Sequence, residues 1–170
     1  TLGSFVHAVL ENLFARPANE RTLSAAKTEM SSLWETQWQT ETISVIGSKK
    51  ENLHAFRWNA WWCIENYFKL ETPTEVNPKG IEHELNGEID GVPIKGYIDR
   101  WHQTDDGIVI SDYKTGKTPR RPYVDGKFFQ LYVYAKLLEQ ETRSPVHKVE
   151  LLYLKDGICL KPVSYTHLTL

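Results

Sequence analysis

The spacing of apolar residues changes period twice along the chain, and that change limits what it can fold into. In the first third they recur at helical intervals. Val6, Val9, Leu10, Leu13 and Phe14 mark a helix from Gly3 to Ala15, which Arg16-Pro17 ends. Leu23, Ala26, Met30, Leu33 and Trp34 mark a second, from about Thr22 to Gln39. A third, from about Ser48 to Leu70, stops at Glu71-Thr72-Pro73. Between Lys79 and Thr115 the pattern becomes three strand-like runs. Asn86-Gly87 and Asp90-Gly91 punctuate the first, and Thr104-Asp105-Asp106-Gly107 separates the second from the third. A helical period returns from Tyr123 to Gln140, Val149 to Leu154 reads as a strand, and a short run ends near Val163. The order is helices, three strands, helix, strand, with no internal repeat and no linker.

A chain of 170 residues can build one domain with a substantial core. With 41% hydrophobic and 25% charged residues it is globular in composition. No apolar run approaches the ~20 residues of a membrane-spanning helix, and no basic-then-apolar leader opens the sequence. The two cysteines, Cys63 and Cys159, are too few for a disulfide framework. A cytoplasmic protein without membrane partners is the expectation. The start at Thr1, already inside a helical pattern, reads as a fragment of something longer, and residues 164–170 read as a tail that could be non-native.

The informative stretch is Gly96-Tyr97-Ile98-Asp99-Arg100 followed by Ser111-Asp112-Tyr113-Lys114-Thr115-Gly116-Lys117. If the two strands fold about Asp105-Asp106, facing residue numbers sum to about 211 and Asp99 faces Asp112. If they fold about Asp106-Gly107, the more favourable turn chemistry, the sum is about 213 and Asp99 faces Lys114. Residues two apart share a face, so in either register Asp99, Asp112 and Lys114 project from one side of the sheet. Neighbouring carboxylates repel one another, and a divalent cation relieves that repulsion; an oxygen-rich site suits Mg²⁺ or Mn²⁺. A lysine on the same face can position water and offset charge on a phosphate. Charge is also segregated along the chain. From Glu71 to Asp112 ten acidic residues stand against three basic ones, and from Lys114 to Lys127 five basic against one acidic. An acidic segment suited to a metal is thus followed by a basic one suited to a nucleic-acid backbone, with Lys117, Arg120 and Arg121 as candidate phosphate contacts.

Gly-x-x-Asp-Arg, a hairpin, and then Asp-Tyr-Lys-Thr-Gly-Lys resemble the RecB-like branch of the PD-(D/E)XK nuclease superfamily. Leu2-Gly3-Ser4-Phe5-Val6-His7-Ala8-Val9-Leu10-Glu11 resembles that branch's first core helix, and Gln130-Leu131-Tyr132-Val133-Tyr134 its Gln-x-x-x-Tyr motif. The resemblance runs from about Gly3 to Leu154, with the motifs in order. It implies an α/β, restriction-endonuclease-like αβββαβ core, a central mixed sheet flanked by helices. It also implies one nuclease-like domain over residues 1–163, with residues 16–72 as a helical insertion after the first helix. The implied activity is divalent-metal-dependent hydrolysis of DNA phosphodiester bonds in recombination or repair, the alternative being a degenerate module that binds DNA or braces a helicase–nuclease complex. The implied partners are DNA and a helicase subunit or fused helicase domain. Carried over residue by residue, His7, Asp99, Asp112 and the Tyr113 carbonyl would hold Mg²⁺ or Mn²⁺. Lys114 would act in catalysis with Asp99 and Asp112, and Gln130 and Tyr134 would contact DNA or support the site. Glu11, one turn after His7, would orient that imidazole or bind a second metal.

Several residues take plainer readings. Glu82 and Glu84 lie on the first strand, where one could approach the metal, but the expectation for both is a solvated or ion-paired surface residue. Trp34, Trp38, Trp58, Trp61 and Trp62 are expected to pack the inserted helices together rather than to stack on bases. His54, His83, His102, His147 and His167 match no motif. Cys63 and Cys159 do not match the cysteine pattern of iron–sulfur members of the branch, so the expectation is no cluster in this chain, with both as small buried hydrophobes. No Walker-type phosphate loop is present, which places any ATP-driven motor outside these residues.

Overall fold

A computed structural model describes residues 1–162; the expected tail at 164–170 lies outside the described residues. The element order is α1 (Leu2–Ala15), α2 (Leu23–Leu33), α3 (Gln39–Ile46), α4 (Lys50–Leu70), β1 (Pro78–Ile89), β2 (Val92–Thr104), β3 (Gly107–Lys114), α5 (Val124–Thr142), β4 (Val146–Tyr153) and β5 (Ile158–Leu160). The five strands form one sheet in the order β1-β2-β3-β4-β5. β1 with β2 and β2 with β3 are antiparallel. The pairing of β3 with β4 is parallel in sense: Ile108 N–H donates to Pro145 O at 3.0 Å near their starts, and Leu154 N–H to Lys114 O at 2.9 Å near their ends. The sheet is therefore mixed, and the α/β expectation holds. The chain forms two compact units.

The first unit holds Thr1–Val76 with the short segments Lys114–Lys117 and Tyr153–Ile158. Thr1 caps α1 by accepting the Ser4 N–H, and Thr22 caps α2 by accepting the Ala25 N–H. Phe5, Val6, Val9, Leu10, Leu13 and Phe14 of α1 are buried, and α1 packs on α2 and α4. The expected second helix runs on to Ile46 through a π-helical turn at Trp34–Trp38. Across that turn both Trp34 and Trp38 meet the Phe5 ring, with centroids at 5.9 and 5.5 Å. Arg21 is buried beneath this helical layer, its guanidinium 5.1 Å from the Phe14 ring centroid and donating to the carbonyls of Pro73 and Val76.

The second unit holds Asn77–Tyr113, Thr118–Leu152 and, of the described residues, 159–162. β1 turns into β2 at Asp90-Gly91, both with positive φ (51° and 78°), the geometry of a tight hairpin. Asn86-Gly87, the other turn signal, stays inside β1, paired with Lys95 and Ile94. Phe128, Leu131, Ala135, Leu137 and Leu138 form the buried side of α5, which packs on β1 and β2. Ile108, Val109 and Ile110 of β3 and Val149, Leu151 and Leu152 of β4 complete the core.

Candidate active site

The β2–β3 register decides which side chains meet. Arg100 pairs with Ser111, Trp101 with Ile110 and Thr104 with Gly107, so the strands fold about Asp105-Asp106. Gly107 is not a turn residue despite its place in a favourable turn dipeptide. It has φ 134°, and a Cβ there would lie 3.0 Å from Pro145 O and from the His147 Cβ. The glycine is needed for β4 to approach, and Thr104 Oγ1 donates to its carbonyl at 2.9 Å to close the loop.

This register, continued one step, sets Asp99 beside Asp112. The ladder itself ends at Arg100–Ser111. Beyond it, Asp99 Oδ2 accepts the Tyr113 backbone N–H at 2.8 Å, a charge-assisted bond that fixes the carboxylate against β3. Asp99 is 8% exposed, and Asp112 Oδ2 is buried. Lys114, two positions on along β3, is half-buried. Its carbonyl is the acceptor of the Leu154 N–H.

The structure corrects the surface expectation for Glu82 and favours the alternative, approach to the site. Glu82 is half-buried, and one of its carboxylate oxygens lies within 4.8 Å of one of Asp99. It also has φ 46° in the middle of a strand, where a residue with a Cβ pays a conformational cost. β1 pairs Ile81 with Arg100 and His83 with Ile98, which puts Glu82 opposite Asp99. The alternation of β1 could have put Glu82 on this side, but no turn dipeptide or motif marks the left-handed residue that aims it. Glu84 meets its expectation, forming an exposed ion pair with Lys95 at 2.5 Å. That ammonium holds the Glu84 carboxyl below its ordinary value.

The alternate side chains of the same strands build a buried polar chain. Arg100, fully buried, donates to Ser111 Oγ at 3.0 Å and to Tyr113 Oη at 3.2 Å. Ser111 Oγ donates to Glu150 Oε1 on β4 at 2.9 Å. Lys148 lies 3.6 Å from Glu150 Oε2, and the Cys159 thiol donates to the same oxygen at 3.8 Å. Burial and the nearby Glu150 charge push the Cys159 thiol up to about 11. Cys159 is half-buried and hydrogen-bonded rather than the buried hydrophobe expected, whereas Cys63 is buried.

Two of the motifs recognised separately in the sequence meet here. Gln130 Nε2 donates to Tyr134 Oη at 2.9 Å on α5. The Tyr134 ring lies over Gly96, where a Cβ would come within 2.3 Å of its Cε1. The glycine of Gly-x-x-Asp thus accommodates the tyrosine of Gln-x-x-x-Tyr, three residues from Asp99. Arg120 and Arg121 are exposed just before α5, Lys117 is exposed, and no ion pair involves any of the three among the described residues. In the first unit, His7 is half-buried on α1 and Glu11 is exposed one turn further on. Near the start of that helix, Gly3 faces Thr115, the residue after Lys114, with a Cβ position 3.0 Å from Thr115 Oγ1.

A mixed sheet that brings Glu82 of β1 close to Asp99 of β2, with an Asp-x-Lys on the neighbouring β3, defines a restriction-endonuclease-like α/β protein with a carboxylate site. Residues 1–163 match the PD-(D/E)XK nuclease superfamily, and the chain belongs to it. It is also similar to the Gene 69 protein of Mycobacterium phage L5, 31% identical over 110 residues. That alignment covers 64% of this chain and 34% of the phage protein, so the chain corresponds to about a third of that relative's length. Among the described residues no helix is long and apolar enough to cross a membrane.

The donor set fits the divalent cations that nucleases of this superfamily use. Carboxylate oxygens from Glu82 and Asp99 come close enough to share an ion, and oxygen donors suit Mg²⁺ or Mn²⁺ better than softer metals.

Proposed function

We propose that the chain is a RecB-like, divalent-metal-dependent DNA nuclease domain that hydrolyses phosphodiester bonds in recombination or repair. The approach of Glu82 to Asp99 beside the strand bearing Asp112 and Lys114 carries this reading. His7, Asp99, Asp112 and the Tyr113 carbonyl would hold Mg²⁺ or Mn²⁺, with Glu82 as an added ligand. When bound, the ion lowers the pKa of water and neutralises charge developing on the phosphoryl oxygens. The chain's own residues supply the rest. Lys114 orients the attacking water and offsets phosphate charge. The Tyr113 N–H holds Asp99 in one orientation, so its carboxylate needs little reorganisation before reaction. Glu11 orients His7 or takes part in a second cation site. Gln130 and Tyr134 brace the β2 backbone at Gly96, while Lys117, Arg120 and Arg121 seat the DNA backbone. A helicase, as partner or fused domain, and a cytoplasmic setting complete the proposal.

The test is cleavage of linear single- and double-stranded DNA with Mg²⁺, Mn²⁺ or EDTA. The expected result is metal-dependent cleavage that Lys114→Ala removes, together with a calorimetric metal site that Asp99→Asn removes. Cleavage equal to wild type in Lys114→Ala, or no metal site in the wild-type protein, overturns the reading in favour of a binding module.

A further inference from the structure

The chain has six tryptophans, and two on α4 do not pack as helix-core residues do. Trp34 is buried among Phe5 and Phe56. Trp38 lies against Phe5, and the Trp61 indole N–H is held by Glu65 at 2.7 Å. Trp58 and Trp62, by contrast, are 60% and 44% exposed. They are four residues apart, so their rings share a helix face. That face lines a cleft of about 440 Å³, with Asn59, Cys63, Thr115 and Lys155 also on its walls, a volume within the ~300–1,000 Å³ of small-molecule sites.

The cleft is tied to the strand that carries Lys114. The Trp62 indole N–H donates to Lys155 O at 3.0 Å. Leu154, the residue before Lys155, donates its N–H to Lys114 O at 2.9 Å. Thr115 on the wall follows Lys114 directly, ~3.8 Å away between Cα atoms. The lining combines flat apolar rings, an amide, a hydroxyl, the Lys155 ammonium and the Asp156 carboxylate, and a second ammonium, Lys69 Nζ, lies 5.4 Å from the Trp62 ring centroid. Cys63 adds no reactive group, because burial pushes its thiol up to about 11 and keeps it protonated at neutral pH. Aromatic faces interleaved with lysines are the chemistry that receives unpaired bases along a polyanionic backbone. A duplex keeps its bases stacked inside and cannot offer one without extruding it.

We infer that the Trp58–Trp62 cleft is a stacking subsite for an unpaired nucleobase of the DNA strand whose backbone passes Lys114, making single-stranded DNA or a frayed end the preferred substrate. This rests on the nuclease reading above. The test is fluorescence anisotropy of the purified chain in EDTA, with labelled oligothymidylate and a blunt duplex of equal length. Trp58→Ala is expected to weaken oligothymidylate binding ~tenfold, equivalent to about 1.4 kcal/mol, while duplex binding changes less than twofold. Trp58→Phe is expected to restore most of the loss. Unchanged oligothymidylate affinity in Trp58→Ala, or an equal loss on both DNAs, overturns the inference. Metal-dependent cleavage by the wild-type protein is scored separately. Cleavage with Trp58-independent binding removes the subsite alone, and Trp58-dependent binding without cleavage removes the nuclease reading alone.

Discussion

β2 and β3 treat charge in opposite ways on their two faces. One face matches Arg100 with Ser111, Tyr113 and, through Ser111, Glu150, so a buried cation and a buried carboxylate are joined by hydroxyls. The other face carries Asp99 and, one register step on, Asp112, with Glu82 of β1 brought close to Asp99 at a conformational cost. The alternation of a strand lets both coexist one residue apart. The difference teaches where rigidity and reactivity lie. The matched face holds β2, β3 and β4 in place, while the acidic face accumulates like charge whose repulsion a dication can relieve.

The largest expected effect falls on the acidic face. Lys114→Ala should lower metal-dependent cleavage by about 10³-fold, within the range for a positioned proton-transfer or charge-stabilising group, with little change in melting temperature. A cleavage time course and a thermal melt on one sample check both halves. On the matched face the effect should reverse. Arg100→Ala leaves a cavity and takes the donor from the Ser111 and Tyr113 hydroxyls, and should cost about 2–5 kcal/mol of stability, read from urea unfolding. If Arg100→Ala were as stable as wild type, the contrast between the faces would fail.

Gly96→Ala probes the joint between α5 and β2. The Tyr134 ring must shift, at about 1–3 kcal/mol, and a double mutant with Tyr134→Ala should lose less than the sum of the single changes. Glu82→Gly sharpens the comparison from the other side. Relief of the left-handed backbone, about 1–2 kcal/mol, is partly offset by glycine's greater freedom in the unfolded chain, roughly 0.5–1 kcal/mol, so the fold should gain slightly while metal affinity measured by calorimetry weakens. The smallest effect belongs to the exposed pair. Glu84 titrates below its ordinary value because of Lys95, so its small stabilising contribution is present at neutral pH and disappears as pH falls through that lowered value. In Lys95→Ala its carbon-detected NMR titration should move back up.

Much of this was readable in the sequence because it depends on local periods. The helices around His7, Trp58 and Gln130, and the alternation of Asp99, Asp112 and Lys114, follow from spacing alone. What escaped depends on contacts between distant segments. The choice between two registers turned on β4 approaching Gly107, which no turn preference encodes. Glu82 depended on one left-handed residue inside a strand. Trp58 and Trp62, expected to pack the inserted helices together, are instead exposed, because the helical period fixes which face they share but not whether another helix covers it.

The parallel joint between β3 and β4 also shapes how the chain is made. β1, β2 and β3 pair through short hairpins and can assemble as soon as they leave the ribosome. Ile108, Val109 and Ile110 must then wait for the whole of α5 and β4 before their outer edge is covered. Throughout that interval the nascent protein presents an apolar, unpaired ribbon, the species that recruits chaperones or captures neighbouring polysomes.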